Sequence, residues 1–200
     1  MTENREHKGY YWLASEWGNL LWACLICNSQ GNKGNKFPLI AGSNYAFKSS
    51  DDISFEASLL INPCEENPEL HLEYTYEGFI IGTTDKGEKS VEVYGLDRPD
   101  LKVDRLRNVN EIKRLIGMML NVISTSTLLI DLPDNVKSEA INEQLKKNKN
   151  LIDEYTDALQ ERLEAKSEFA GMNRFLINAY RNKYKDNEIF MKVTEKLLDQ

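Results

Sequence analysis

Cys24 and Cys27, spaced C-x-x-C and followed by Asn28, are the residues of this chain whose type and spacing are best suited to chemistry. Two thiolates at this spacing grip one face of a zinc ion, and a tetrahedral structural site needs four ligands. The same spacing serves thiol–disulfide exchange, although no βαβ pattern follows it here. Around the pair stand Asn19, Lys33, Asn35 and Lys36, then Phe37-Pro38. An asparagine amide oxygen ligates a divalent cation or ends a turn, and loop lysines meet phosphate or stay solvated. The two histidines are His7, in Glu6-His7-Lys8-Gly9, and His71, between Leu70 and Leu72. His7 is a candidate general base or an exposed terminal residue, and His71 reads as a sheet residue. Cys64, the odd thiol, reads as buried or semi-buried.

The elements that must position these groups fall into three regions. Residues 1–48 are aromatic-rich and end in the loop Gly31-Asn32-Lys33-Gly34-Asn35, a partial knuckle module in which Tyr10, Tyr11, Trp12, Leu13 and Trp17 supply apolar area and Leu20-Leu21-Trp22 suits a short strand. Residues 49–98 read as short strands. Leu70–Tyr76, Phe79–Thr83 and Ser90–Tyr94 are β-favouring, with turn signals at Glu77-Gly78 and Asp85-Lys86-Gly87 between them. Pro63 makes the stretch from Asn62 to Pro68 an ordered loop. In residues 99–200 the period becomes helical: Leu106, Val109, Ile112, Leu115, Ile116 and Met119 form one stripe, and Ile141, Leu145, Ile152, Tyr155, Leu159 and Leu163 a second. Pro133 separates them, with Asp134 as the expected N-cap. A third helix is expected from about Ser167 to Tyr184, then a short terminal one. The predicted class is α+β: a small antiparallel sheet and a C-terminal helical region.

Composition bounds the function. The 200 residues are 41% hydrophobic with a net charge of −7, enough chain to bury a core. No apolar run approaches the roughly 20 residues that cross a bilayer, and the N-terminus is polar, so a cytoplasmic protein with no membrane partner is expected. Residues 1–50 hold five Lys/Arg against three Asp/Glu, whereas residues 51–100 hold three against thirteen. This acidic balance argues against a general grip on nucleic acid but leaves room for a locally basic site. The pairs Asp51-Asp52 and Glu65-Glu66 read as a solvated face. Without a glycine-rich phosphate loop, no nucleotide is expected on this chain.

The run Gly9-Tyr10-Tyr11-Trp12-Leu13-Ala14, Glu16-Trp17, Asn19-Leu20-Leu21, Cys24-x-x-Cys27-Asn28, Lys33, Asn35, Phe37-Pro38-Leu39 resembles the HNH endonucleases that accompany an ATPase in bacterial anti-phage operons, the nuclease subunit of Septu systems and its retron-linked relatives. Leu59–Glu66, Val93–Arg98 and Glu168–Met172 look like later landmarks of that family, so the similarity spans nearly the whole chain. The resemblance implies a partial ββα-metal (HNH) module. In it Asn19 matches the loop-tying asparagine and Asn35 the ligand of a catalytic Mg or Mn ion. Cys24 and Cys27 match the second half of a four-cysteine structural Zn site, while Lys33 and Lys36 would contact DNA phosphate. The family's first C-x-x-C and its Glu-His-x-x-Pro-Lys segment are expected upstream of Gly9, which makes this a half site and leaves His7 as the nearby histidine. An AAA/ABC-type ATPase of the same operon is the implied protein partner. The implied function is metal-dependent DNA cleavage in anti-phage defence; the alternative is a catalytically inactive remnant that only binds a partner.

Overall fold

The computed structural model describes residues 9–29 and 31–197. His7 lies outside the described residues. The chain divides into two compact units, one formed by residues up to Thr75 together with Phe79–Lys102, the other by Tyr76–Gly78 together with residues from Val103 onward. The class is α+β, mostly helical, with one small antiparallel sheet.

In the first unit, β1 (Leu72–Tyr74) pairs with β2 (Ile80–Gly82) in the register Leu72↔Gly82, Glu73↔Ile81, Tyr74↔Ile80. Alternation turns Leu72 and Ile80 inward, where they pack with Ile61 against Tyr74, Val91 and Leu96. Helix α2 (Asp85–Tyr94) lies on this hairpin. The approach is close enough that a Cβ on Gly87 would stand 2.0 Å from the His71 carbonyl oxygen, and one on Gly82 would stand 2.1 Å from the Glu88 nitrogen. Glycine at both positions is therefore a packing requirement.

The expected strand over Ser90–Tyr94 is corrected: these residues form the second half of α2. Val91-Glu92-Val93-Tyr94 alternates like a strand, but the caps decide otherwise. Thr84 Oγ1 accepts from the Gly87 N–H at 3.1 Å, Asp85 and Glu88 sit in the first turn, and Gly95 closes the helix in the left-handed region at φ 60°. Gly87, Ser90 and Val93 are the buried face, and Ser90 Oγ accepts from the Ile61 N–H at 2.9 Å, tying the 59–66 segment to the helix.

That segment is the ordered loop its proline predicts. Asn62 Oδ1 accepts from Cys64 N at 3.1 Å, and Glu66 Oε1 accepts from Asn62 N at 2.9 Å. Cys64 itself is exposed rather than buried, standing in the turn that Asn62 and Glu66 hold. Leu20-Leu21-Trp22 is extended but belongs to no ladder among the described residues. Of the aromatic group, Tyr10 and Trp12 pack edge to face, and Tyr10 meets Phe37 in the same way; Tyr11 and Trp17 are exposed. The Tyr10 hydroxyl donates to Glu56 at 3.0 Å, and burial together with that carboxylate pushes its pKa well up.

The second unit is helical, and its stripes are largely those of the sequence. From α3 (Pro99–Ile130), Val109, Ile112, Leu115, Ile116, Met119 and Ile123 are buried, while Leu106 is exposed. From α4 (Glu139–Leu163) come Leu159 and Leu163; from α5 (Ala170–Lys183) come Met172, Leu176, Ile177 and Tyr180; and α6 (Glu188–Glu195) adds Phe190. Each such side chain contributes roughly 1.5–3 kcal/mol by leaving water. The N-cap of α4 is Ser138, not Asp134, whose carboxylate instead accepts from Lys137 Nζ at 2.9 Å. Two polar staples cross this core. Asn148 Nδ2 donates to Ser126 Oγ at 3.0 Å. Asn173, fully buried, accepts from Asn108 Nδ2 and donates to the Arg162 and Glu168 carbonyls at 2.8 and 3.3 Å. The second staple gathers the chain just before α5, where Phe169 holds a left-handed backbone at φ 57°.

A candidate metal knuckle and its supports

Helix α1 is a single turn, Leu25–Asn28, and Cys24 is its N-cap. The Cys24 Sγ accepts from the Cys27 N–H at 3.2 Å, so the C-x-x-C spacing folds both sulfurs to one side of a tight turn. The loop beyond it returns on itself. Lys33 N donates to the Cys27 carbonyl at 3.1 Å. The Ile26 carbonyl receives Ser29 N at 3.2 Å, Ser29 Oγ at 2.8 Å and Asn32 Nδ2 at 2.8 Å. Asparagine and serine suit this role because short polar side chains bond their own backbone.

The two sulfurs are not equivalent. Cys24 is exposed and Cys27 half-buried. Hydrogen bonding from the Cys27 thiol and N–H holds the Cys24 thiol below its ordinary value. Burial and the proton shared with Cys24 push Cys27 up, and the Arg98 guanidinium pulls against them. The shared environment thus favours the thiolate at Cys24 and disfavours it at Cys27.

The support behind the turn comes from far along the chain. Arg98 Nη1 donates to Cys27 Sγ at 3.4 Å and to the Gly95 carbonyl at 3.2 Å, while Nε is 3.0 Å from Asp100 Oδ2. Asn32 lies against Gly95 so closely that a Cβ there would stand 2.2 Å from Asn32 Oδ1. Gly95 and Arg98 belong to a stretch notable in the sequence only as a landmark; nothing in their spacing points to Cys27, 71 residues away.

The other sequence candidates sit as follows. Asn19 Nδ2 donates to the Leu13 carbonyl at 3.1 Å and so closes the loop of two 3₁₀ turns, Tyr11–Leu13 and Trp17–Asn19. Asn35 is exposed at the turn in which Lys36 N donates to the Lys33 carbonyl at 2.7 Å. Lys33 is half-buried, and burial lowers its pKa. Lys36 is exposed and acts, after Lys89, on the lowered pKa of Glu92. The described residues gather no group of three or more His, Cys, Asp or Glu able to hold a metal. Two soft thiols fit zinc as half of its set.

A second polar cluster escaped the sequence reading. Glu66, expected on a solvated face, takes Lys86 Nζ at 2.9 Å and stands 3.2 Å from His71 Nε2. His71, just outside β1, places Nδ1 2.9 Å from Thr84 Oγ1, the cap of α2. Burial raises the Glu66 pKa, but Lys86 and the Asn62 N–H outweigh it and leave it lowered. A histidine five residues after a carboxylate pair is a weak signal, and Lys86 and Thr84 join it only through the hairpin.

No family model matches the sequence, and no solved structure matches it. Two curated relatives do. The chain is 40% identical to Septu protein PtuB of Bacillus mycoides (strain KBAB4) over 126 residues, 62% of this chain and 42% of that protein. It is 32% identical to Septu protein PtuA of the same strain over 106 residues, 53% of this chain and 15% of that protein. The chain thus spans less than half the length of the curated relatives it matches. Both relatives carry the Septu name, in agreement with the resemblance drawn from Gly9–Leu39, and the chain is similar to these Septu proteins over the stretches matched.

Proposed function

We propose that this chain is a component of an anti-phage defence system and contributes the knuckle half of an HNH-type, metal-dependent DNA endonuclease. The observation that carries the reading is the outward C-x-x-C turn, with Cys24 Sγ capping Cys27 N, beside a loop closed by Asn19. Cys24 and Cys27 would give two ligands to a structural zinc. Asn19 would keep its loop rigid, and Asn35 would face a magnesium or manganese ion. When bound, that ion supplies stabilisation of the charge developing on the leaving oxygen. Lys33 and Lys36 would meet the DNA backbone. The described residues supply only part of each ligand set, so no step is routed through either metal. The protein partner in this reading is an ATPase of the same system, with nucleotide bound there.

The test is nicking of supercoiled plasmid by the chain together with its operon's ATPase, with magnesium or manganese and with EDTA. Metal-dependent nicking, lost in Asn35→Ala, is expected. Correctly folded protein that leaves the plasmid intact under all these conditions refutes the nuclease reading. A second reading, a non-cutting partner-binding protein, is favoured by the apolar face of Trp17, Leu20, Leu21, Trp22 and Leu25, in which Trp22 is wholly exposed. On that reading the plasmid stays intact while Trp22→Ala abolishes co-purification with the ATPase.

A further inference from the structure

The corner between α2 and α3 reaches the cysteine turn by two independent contacts. One is steric: Asn32, whose Nδ2 holds the Ile26 carbonyl at 2.8 Å between the two cysteines, packs on the bare Cα of Gly95. The other is polar. Arg98 aims Nη1 at Cys27 Sγ from 3.4 Å, while Asp100 fixes its Nε and the Gly95 carbonyl shares the same Nη1. Its side chain is only 17% exposed, so the guanidinium works where water screens it little. Pro99 follows directly and, by steric pressure on the residue before it, disfavours helical backbone at Arg98, where α3 has not yet begun. A guanidinium is suited to this task because its planar fork meets a sulfur, a carbonyl and a carboxylate at once; a lysine ammonium is a single point.

We infer that Arg98 is the positioning residue of the cysteine pair: it orients Cys27 Sγ and offsets the negative charge that two thiolates carry when they hold a thiophilic divalent metal. This rests on reading Cys24 and Cys27 as metal ligands. Groups that hydrogen-bond a metal ligand from behind fix its direction, and losing one typically weakens metal binding by about 10–100-fold. Removing Arg98 leaves Cys27 Sγ without its charged donor.

The experiment titrates the purified full chain with Co(II), reading the thiolate-to-cobalt charge-transfer band, and then displaces cobalt with zinc against a chelator. The wild-type chain is expected to show the band. Arg98→Ala is expected to weaken zinc binding about 10–100-fold and to move the band to lower energy, since a sulfur that loses a donor gives up its electrons more readily. Arg98→Lys restores the charge without the fork and is expected to recover part of both changes. Thermal unfolding of each variant separates this from collapse of the fold; if Arg98→Ala does not fold, Arg98→Lys alone decides by its band position. A wild-type chain with no thiolate–cobalt band overturns the metal reading and the inference together. A wild-type band that neither Arg98 variant alters, in energy or affinity, overturns the inference alone.

Discussion

Replacing Gly95 by alanine tests whether the knuckle and the end of α2 form one packed structure. Gly95 has φ 60° and receives the close of α2, with Gly95 N on the Glu92 carbonyl at 3.3 Å and Leu96 N on the Val91 carbonyl at 2.9 Å. An L-residue held in this left-handed region costs about 1 kcal/mol. The new Cβ would also stand 2.2 Å from Asn32 Oδ1 and 2.9 Å from Asn32 Cγ, far inside contact distance. The Asn32 side chain must therefore turn away and lose its bond to the Ile26 carbonyl, about 1 kcal/mol more. That carbonyl keeps Ser29, so the loss does not leave it orphaned. The expected total is about 2 kcal/mol of unfolding free energy, read by urea denaturation. A double-mutant cycle with Asn32→Ala isolates the contact: with Asn32 truncated, Gly95→Ala should cost only the left-handed share, about 1 kcal/mol, giving a coupling of about 1 kcal/mol. Equal costs in both backgrounds would refute the docking of the loop on this corner and with it the steric half of the argument for Arg98.

Gly87→Ala should be more damaging, about 3 kcal/mol or more, because the atom its Cβ meets at 2.0 Å is backbone of the strand side and cannot rotate away; circular dichroism melts of the variant measure this. The Glu66 carboxylate titrates below its ordinary value of 4.5 in the folded chain, so its contacts stabilise the fold fully above that value and are lost as pH falls through the depressed one. Urea midpoints at pH 7 and pH 3 should therefore differ less in Glu66→Gln than in wild type, and an identical pH response would exclude Glu66 as a source of the acid sensitivity. Asn173→Leu removes the partner of the Arg162 and Glu168 carbonyls and of the Asn108 amide, and should cost about 2–3 kcal/mol in the same assay.

The helices of the second unit were legible because a repeat of three and four residues is a local property: Val109, Ile112, Leu115, Ile116 and Met119 lie on one face of any helix they form, and all are buried. The hairpin was legible for the same reason, since β-favouring runs around a Gly turn fix both partners within a few residues. Ser90–Tyr94 failed because alternation and helical spacing coexist in it, and the cap of Thr84 with the glycine at 95 outweighed the alternation. The exposed Trp17 and Trp22 were equally opaque to sequence, since hydrophobicity states a preference and not whether a partner surface is at hand to satisfy it.

The sequence by itself determined the cysteine spacing, the small polar residues that turn the chain back on Cys27, the apolar stripes and the family likeness. Only the tertiary structure decided what stands behind the cysteines. Arg98 meets Cys27 across 71 residues, and the hairpin brings Lys86 to Glu66 and the helix cap Thr84 to His71. Periodicity records which way a side chain points within its own element, whereas the partner of a charge or a sulfur is chosen by where the chain path brings distant elements together. No repeat in the sequence encodes that path. The two thiols are therefore read from spacing, and the guanidinium that aims one of them is read only from the fold.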